Sequence, residues 1–344
     1  MKRSRIILLA AGIAAAIAYP HIFSLPFPRH LMIMVFVFAT LGSAWNLIGG
    51  YAGQVSLGHA VFFGLGAYTS TLLLMKAGVN PWIGLLAGVV ISSIVALIIG
   101  YPCFKLGGHY FAIATIAVGE MFQHAWLNWD FAGSAIGLNL PILEEGVVNF
   151  QFHATKLPYY YISLCMAGVA VLTGYIVDRS KIGYYFRAIK GDQDAARSLG
   201  ISHTKYKAYA MVLSASLTSI AGSFYAQYIL FIDPDSVFPL MLSINMCLMA
   251  TLGGLATVWG PVIGAFILIP ISEFTRIYMG GGGTGIDIMV YGLLIILICL
   301  FQPSGIIGIF EQFRKKRENP YGITGAPAGH QKVLGHHGQS GHQL

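Results

Sequence analysis

The chain has 344 residues, 56% of them hydrophobic and only 10% charged, with a mean hydropathy of +0.71 and a formal net charge of +7. So little polar surface cannot cover a water-soluble globule, which leaves an all-α, polytopic membrane protein surrounded by lipid. The positive charge calls for no nucleic-acid partner, because the basic residues are not interleaved with an aromatic stacking surface.

Ten transmembrane helices are predicted, each near the ~20 residues that a bilayer requires. The first covers 6–20, behind the basic start MKRSR. That start resembles a secretory signal. Removing it would leave nine spans and put the central basic loop outside, so a retained signal-anchor is the simpler expectation. Helix two covers 31–48 and contains Asn46; helix three covers 56–75 and contains Ser56 and His59, with Gln54 just before it. The glycines around them suit close helix packing, and Gly49, Gly50 and Gly53 also suit a helix break, as do Pro261 and Pro270 further on. Helix four covers 82–101 and helix five 109–128, with Glu120 set in AIATIAVGEMFQ. Helix six covers 158–177, and helices seven to ten cover 207–230, 238–256, 258–278 and 286–308.

Polar groups at membrane depth are costly and are functional candidates by default. Asn46, Gln54, Ser56, His59 and Glu120 are therefore candidates for a translocation pathway or for contacts between helices. Three roles stay open for Glu120: a structural hydrogen bond, a place on the pathway or an interface, or a position at the membrane edge. Packing is the simpler role for His59. No chain of coupled carboxylates or histidines suggests a proton relay. The run Gly280–Gly283 lacks the GxxxxGK[ST] pattern and reads as a hairpin connection. No catalytic constellation is present, so no enzyme is expected. The four cysteines lack CxxC spacing, which indicates neither a metal site nor a disulfide framework.

With both termini inside, sixteen of the twenty Lys and Arg residues fall on the cytoplasmic side. Only Arg29, Lys76, Lys156 and Arg276 fall outside, which fits the retention of basic residues in the cytoplasm. Seven of the twenty lie in one loop, 178–207. Residues 1–310 then form a transmembrane domain that carries this loop, and 311–344 form a basic, then disordered cytoplasmic tail. Helices two to five enter the membrane in the opposite sense to helices seven to ten, as in an inverted repeat.

The loop is long enough to hold structure. Gly183 to Lys190 reads as one short helix. Asp192 to Leu199 reads as a second, with Asp192 as N-cap and Gly200 as its stop. Ala195 and Ala196 leave a smooth face for a partner to pack on, and a mere connector would be shorter.

The segment DAARSLGI resembles the EAA-type coupling motif of ABC importer permeases. The longer FRAIKGDQDAARSLGISHTKYKAYAMVLSASLTSIAGSFYA is similar to the branched-chain amino acid permeases of the LivM type. WNLIGGYAGQVSLGHAVFFGLGAY, YFAIATIAVGEMF and GGGGTGIDIMVYGLLIILICLFQPSGIIG agree, so the resemblance covers roughly residues 30 to 310. Asp194 stands where the coupling motif has Glu, and Ser304 where relatives often carry Arg. The resemblance implies a bacterial inner-membrane importer subunit without an ATPase or cofactor of its own, ATP being bound by partner subunits. The expected partners are a second permease, two cytoplasmic ATP-binding subunits and a periplasmic substrate-binding protein. Asp194, Ala195, Ala196 and Gly200 map onto the coupling motif, with Arg197 beside them. The implied cargo is a branched-chain or other hydrophobic amino acid. Urea or a short amide is the alternative within the class, and a self-sufficient carrier or channel is the alternative outside it.

Overall fold

Proline opens several helices of this chain and glycine closes others, and between them run long apolar stretches. A computed structural model describes residues 2–23, 25–106, 108–278, 289, 292–293, 296 and 305–308. The helices are α1 (Lys2–Ile22), α2 (Pro26–Asn46), α3 (Ala60–Ala77), α4 (Pro81–Cys103), α5 (His109–Leu127), α6 (Leu157–Arg179), α7 (Lys181–Gly191), α8 (Gln193–Ser198), α9 (His203–Ile229), α10 (Pro234–Val237), α11 (Leu240–Gly253) and α12 (Gly260–Tyr278). Two strands of two residues each, β1 (Leu138–Asn139) and β2 (Phe231–Ile232), pair antiparallel with Leu138 opposite Ile232. They tie the long α5–α6 connection to the corner after α9.

Local chemistry explains the ends. Pro26 and Pro81 occupy first-turn positions, where the missing N–H costs no hydrogen bond. Asn80 caps α4 by accepting from the backbone of Trp82 at 2.9 Å. Gly78 closes α3 in the left-handed region and donates to the carbonyls of Leu73 and Leu74.

Each of the first nine expected helices meets an observed one, with ends that differ by up to five residues, as at the start of α2. The tenth, 286–308, lies outside the described residues apart from 289, 292–293, 296 and 305–308. Five described segments are long and apolar enough to cross a membrane: Pro26–Tyr51, Ala60–Ala77, Pro81–Cys103, Leu157–Arg179 and Pro234–Gly253. The 27-residue α9 is not one of them, and its composition says why. It buries Ser214, Thr218, Ser219, Ser223 and Gln227 among its neighbours, and these polar residues lower its hydropathy.

The packing is organised by hairpins. The α3–α4 pair lies on α9, the α11–α12 pair lies on α2, and α6 covers the far side of α2. α4 shows how a lipid-exposed helix divides its faces. Gly84, Gly88, Ser92, Ala96 and Gly100 are buried, while Ile83, Leu86, Val90, Ile94, Leu97 and Tyr101 are exposed. Apolar side chains gain nothing by leaving lipid, so the small residues take the interface and bring backbones close. Gly66 and Gly222 mark the close approach of α3 and α9: a Cβ at Gly66 would collide with the carbonyl of Ser219, and one at Gly222 with the carbonyl of Phe63. Trp45, Tyr68, Phe224 and Phe238 fill the largest cluster at the centre.

Candidate functional site

Four of the five polar candidates gather where α2 ends. Past Asn46 the helix continues as a π-helical turn, Leu47–Tyr51, and Gly53 at φ +71° then turns the chain away. Helix three was expected from residue 56, but α3 starts only at Ala60, so 52–59 run without regular structure. Glycine and serine in this stretch leave little side-chain bulk to hold a helical turn. A buried non-helical backbone must find partners, and each partner comes from a different helix. Trp45 Nε1 donates to the carbonyl of Ser56 at 2.7 Å. The backbone N–H of Leu57 donates to Thr115 Oγ1 of α5 at 3.0 Å. That of Ala60 donates to Ser243 Oγ of α11 at 2.8 Å.

His59 is fully buried between two hydroxyls, Ser56 Oγ at 3.1 Å from Nδ1 and Ser214 Oγ at 2.6 Å from Nε2. The Ser214 hydroxyl donates to the carbonyl of Ala44, so it must accept from the ring. This assigns the proton of a neutral imidazole to Nε2 and makes Nδ1 the acceptor from Ser56. His59 therefore ties α2, the irregular stretch and α9 together. Asn46 ties the same helix end to the α11–α12 loop: its Nδ2 donates to Thr257 O at 2.9 Å, and its Oδ1 accepts from Ala256 N at 3.0 Å. Gln54 is buried beside them, its backbone N–H on the carbonyl of Ile48 at 3.0 Å.

Glu120 stands apart from this knot. It lies on α5, which buries only Phe111 and Thr115 among its described residues. Its side chain is 46% exposed and 3.8 Å from His124. A shallow niche places it with Leu57, Gly58, Phe238 and Ser243, at the junction of α3, α5 and the start of α11.

The basic segment folds as two short helices with the expected cap. Asp192 Oδ1 accepts from Asp194 N at 2.8 Å and Ala195 N at 3.0 Å, and Gly200 at φ +81° ends the second helix. Asp194, Ala195 and Arg197 are exposed, and Leu199 is 81% exposed. Ala196 is different. It is only 2% exposed and packs inward, so a smooth outer face built from both alanines is corrected to one that Ala195 alone supplies. The spacing explains this: on a helix, neighbours in sequence point about 100° apart.

Several anchors of this segment were not singled out in the sequence. Arg187 bridges to Asp178 at 2.8 Å and donates to its carbonyl at 2.7 Å, fixing α7 to the end of α6. Gly183 permits that tight turn, because a Cβ would strike the carbonyl of Val177. Lys190 Nζ donates to the carbonyl of Gly50 at 2.9 Å, and desolvation lowers the pKa of its ammonium. Lys207 Nζ donates to Gln193 Oε1 at 2.9 Å and joins α8 to the start of α9. The most distant of their partners, Gly50, lies 140 residues from Lys190, and a single sequence carries no signal of such pairing. Among the described residues no group of three or more His, Cys, Asp or Glu residues is placed to hold a metal ion.

Comparison with known proteins gives a consistent result. Residues 28–299 match the family described as the permease component of branched-chain amino acid transport systems. The high-affinity branched-chain amino acid transport system permease protein LivM of Salmonella typhimurium is 26% identical over 323 residues, covering 88% of this chain and 74% of that protein. The corresponding protein BraD of Pseudomonas aeruginosa is 26% identical over 291 residues, covering 79% of this chain and 91% of that protein. The nucleoside ABC transporter permease protein NupC of Lactococcus lactis is 25% identical over 212 residues, covering 56% of this chain and 64% of that protein.

Proposed function

We propose a function from one premise: the chain belongs to the family of branched-chain amino acid transport permeases, and it is a multi-pass membrane transport protein. On this reading it is the membrane subunit of an ATP-driven importer. It moves branched-chain or other hydrophobic amino acids across the inner membrane into the cytoplasm. ATP is bound and hydrolysed on two separate cytoplasmic subunits. A second permease completes the channel, and a periplasmic binding protein delivers the cargo. The finer topology has ten helices, cytoplasmic termini and an inverted repeat of helices two to five and seven to ten. The crossed packing supports that repeat, since the hairpin of each half lies on the leading helix of the other.

The observation that carries the reading is the α7–α8 segment. It is capped, braced and outward-facing, with Asp194, Ala195, Arg197 and Leu199 exposed side by side. Docking there lets closure of the ATPases push the segment as a unit, provided that docking differs in free energy between the two states of the bundle. Gly200 ends the helix, and Ala196 seats it on this chain. We place Asn46, Gln54, Ser56 and His59 at contacts between helices beside the pathway, and Glu120 on the pathway side of α5.

Ala195→Arg tests the docking face without touching the buried Ala196. The ATPase subunits should no longer co-purify, and ATP-driven leucine uptake should fall with them. Unchanged co-purification and uptake would remove α8 from the interface. The relative that carries nucleosides favours a second reading, in which the same machinery takes a different small cargo. Competition of labelled leucine uptake by urea, short amides and nucleosides separates the two.

A further inference from the structure

Two hydrogen-bond contacts run in series between the docking segment and the bundle interior. Lys190 lies at the end of α7, two residues before the Asp192 cap. Its ammonium donates to the carbonyl of Gly50 at 2.9 Å. That carbonyl belongs to the π-helical turn that ends α2. One turn earlier, the Asn46 amide holds the backbone of Ala256 and Thr257 on both sides, at 3.0 and 2.9 Å. The path thus leads from α7, through the π turn, to the loop that joins α11 to α12.

Sterics reinforce the first contact. Gly53 has φ +71°, and a Cβ there would lie 2.8 Å from the Lys190 side chain and 3.3 Å from its Cα. The backbones of α7 and of the turn are therefore in close approach, with Phe186 and Ile189 buried behind them. A π turn is a rare form of helix, frequently found at functional sites. Here a charged donor from another element satisfies one of its carbonyls. An element held in a rare winding by an external contact responds when that contact moves.

We propose that Lys190 is the positioning residue that transmits displacement of the docking segment into the end of α2, and through Asn46 into the 254–257 loop. The proposal rests on the importer reading above, and it adds the internal route by which docking reaches the bundle. The chemistry is that of a lever held by a charged hydrogen bond: removing the ammonium leaves α7 folded and capped but no longer fastened to the turn.

The test uses the assembled complex with its ATPase subunits. Leu255→Cys, on an exposed residue of the loop, is introduced after the native cysteines are replaced, and its maleimide labelling is measured with and without ATP. ATP should change the labelling rate in this background. With Lys190→Met the ATPase should still co-purify and still hydrolyse ATP, but the ATP-dependent change in labelling should shrink about tenfold, the loss expected for one charge-assisted hydrogen bond. Lys190→Arg, which keeps a cationic donor, should restore it. An ATP-dependent labelling change that survives Lys190→Met overturns the proposal, as does loss of ATPase co-purification in that variant, which would assign Lys190 to docking itself. If Lys190→Met does not accumulate, Lys190→Gln is read by the same two criteria. An ATPase that never co-purifies with the unsubstituted chain refutes the importer reading, whereas leucine uptake absent from an otherwise responsive complex refutes only the cargo.

Discussion

The stretch 52–59 and the α7–α8 segment are both short departures from long helices, and they use polar residues in opposite ways. In the first, nearly every polar group turns inward. His59, Ser56 and Ser214 close a buried network, and the non-helical backbone of the break is satisfied by α2, α5 and α11. In the second, Asp192 caps locally, and Asp194, Arg197 and Leu199 face outward. The first region finds most of its partners within this chain, Gln54 Oε1 alone among its side-chain polar atoms being buried without one. The second is ordered but leaves a surface with charge and an exposed leucine, which suits the docking role proposed for it. Substitutions in the knot should therefore damage the fold, and substitutions on the docking face should spare it.

The largest effect should come from closing the approach between α3 and α9. Gly66→Leu drives a side chain into the Ser219 carbonyl and should cost about 3 kcal/mol, enough to abolish accumulation in the membrane. Normal yield and melting of that variant would mean that the two helices are farther apart than described. His59→Ala should come next. It removes the ring that joins Ser56 to Ser214 and should cost about 2 kcal/mol, read as a fall in the melting temperature of the purified chain. If uptake disappears while melting is unchanged, His59 acts on the cargo rather than on the fold.

Asp192→Ala should be milder. Loss of the cap costs about 1 kcal/mol within α8, too little to unfold the bundle. ATPase affinity should fall in consequence, while Asp192→Ser should retain most of it. Equal loss in both variants would show that the charge, not the cap, is what the partner reads. Glu120→Gln should disturb the fold least, by less than about 0.5 kcal/mol, because its carboxylate is half exposed. Leucine uptake should nonetheless drop several-fold, and full uptake would take the charge of Glu120 off the pathway.

Helices such as α4 were plain in the sequence, because its exposed Ile, Leu and Val make a long apolar run that only Ser92 and Ser93 interrupt. The position of α9 was legible as a span, although its buried serines lower its hydropathy; its place at the centre of the packing was not. The two loop helices were readable from local chemistry alone: an Asp cap and a Gly stop act within a few residues. The inward turn of Ala196 was not, because burial depends on what α8 leans against. The polar candidates at 46–59 were found by residue type, and their common location follows from their closeness in the chain. Their partners were hidden. Nothing near His59 in sequence names Ser214, and nothing near Gly50 names Lys190, since such pairs are made by folding over distances of 155 and 140 residues.

Reconstitution in liposomes tests the central claim most directly. The purified chain is compared alone and with its second permease, ATPase subunits and binding protein, with ATP enclosed on the cytoplasmic side. The account predicts accumulation of labelled leucine only in the complete assembly and only with hydrolysable ATP. Leucine flux through liposomes containing this chain alone would contradict it.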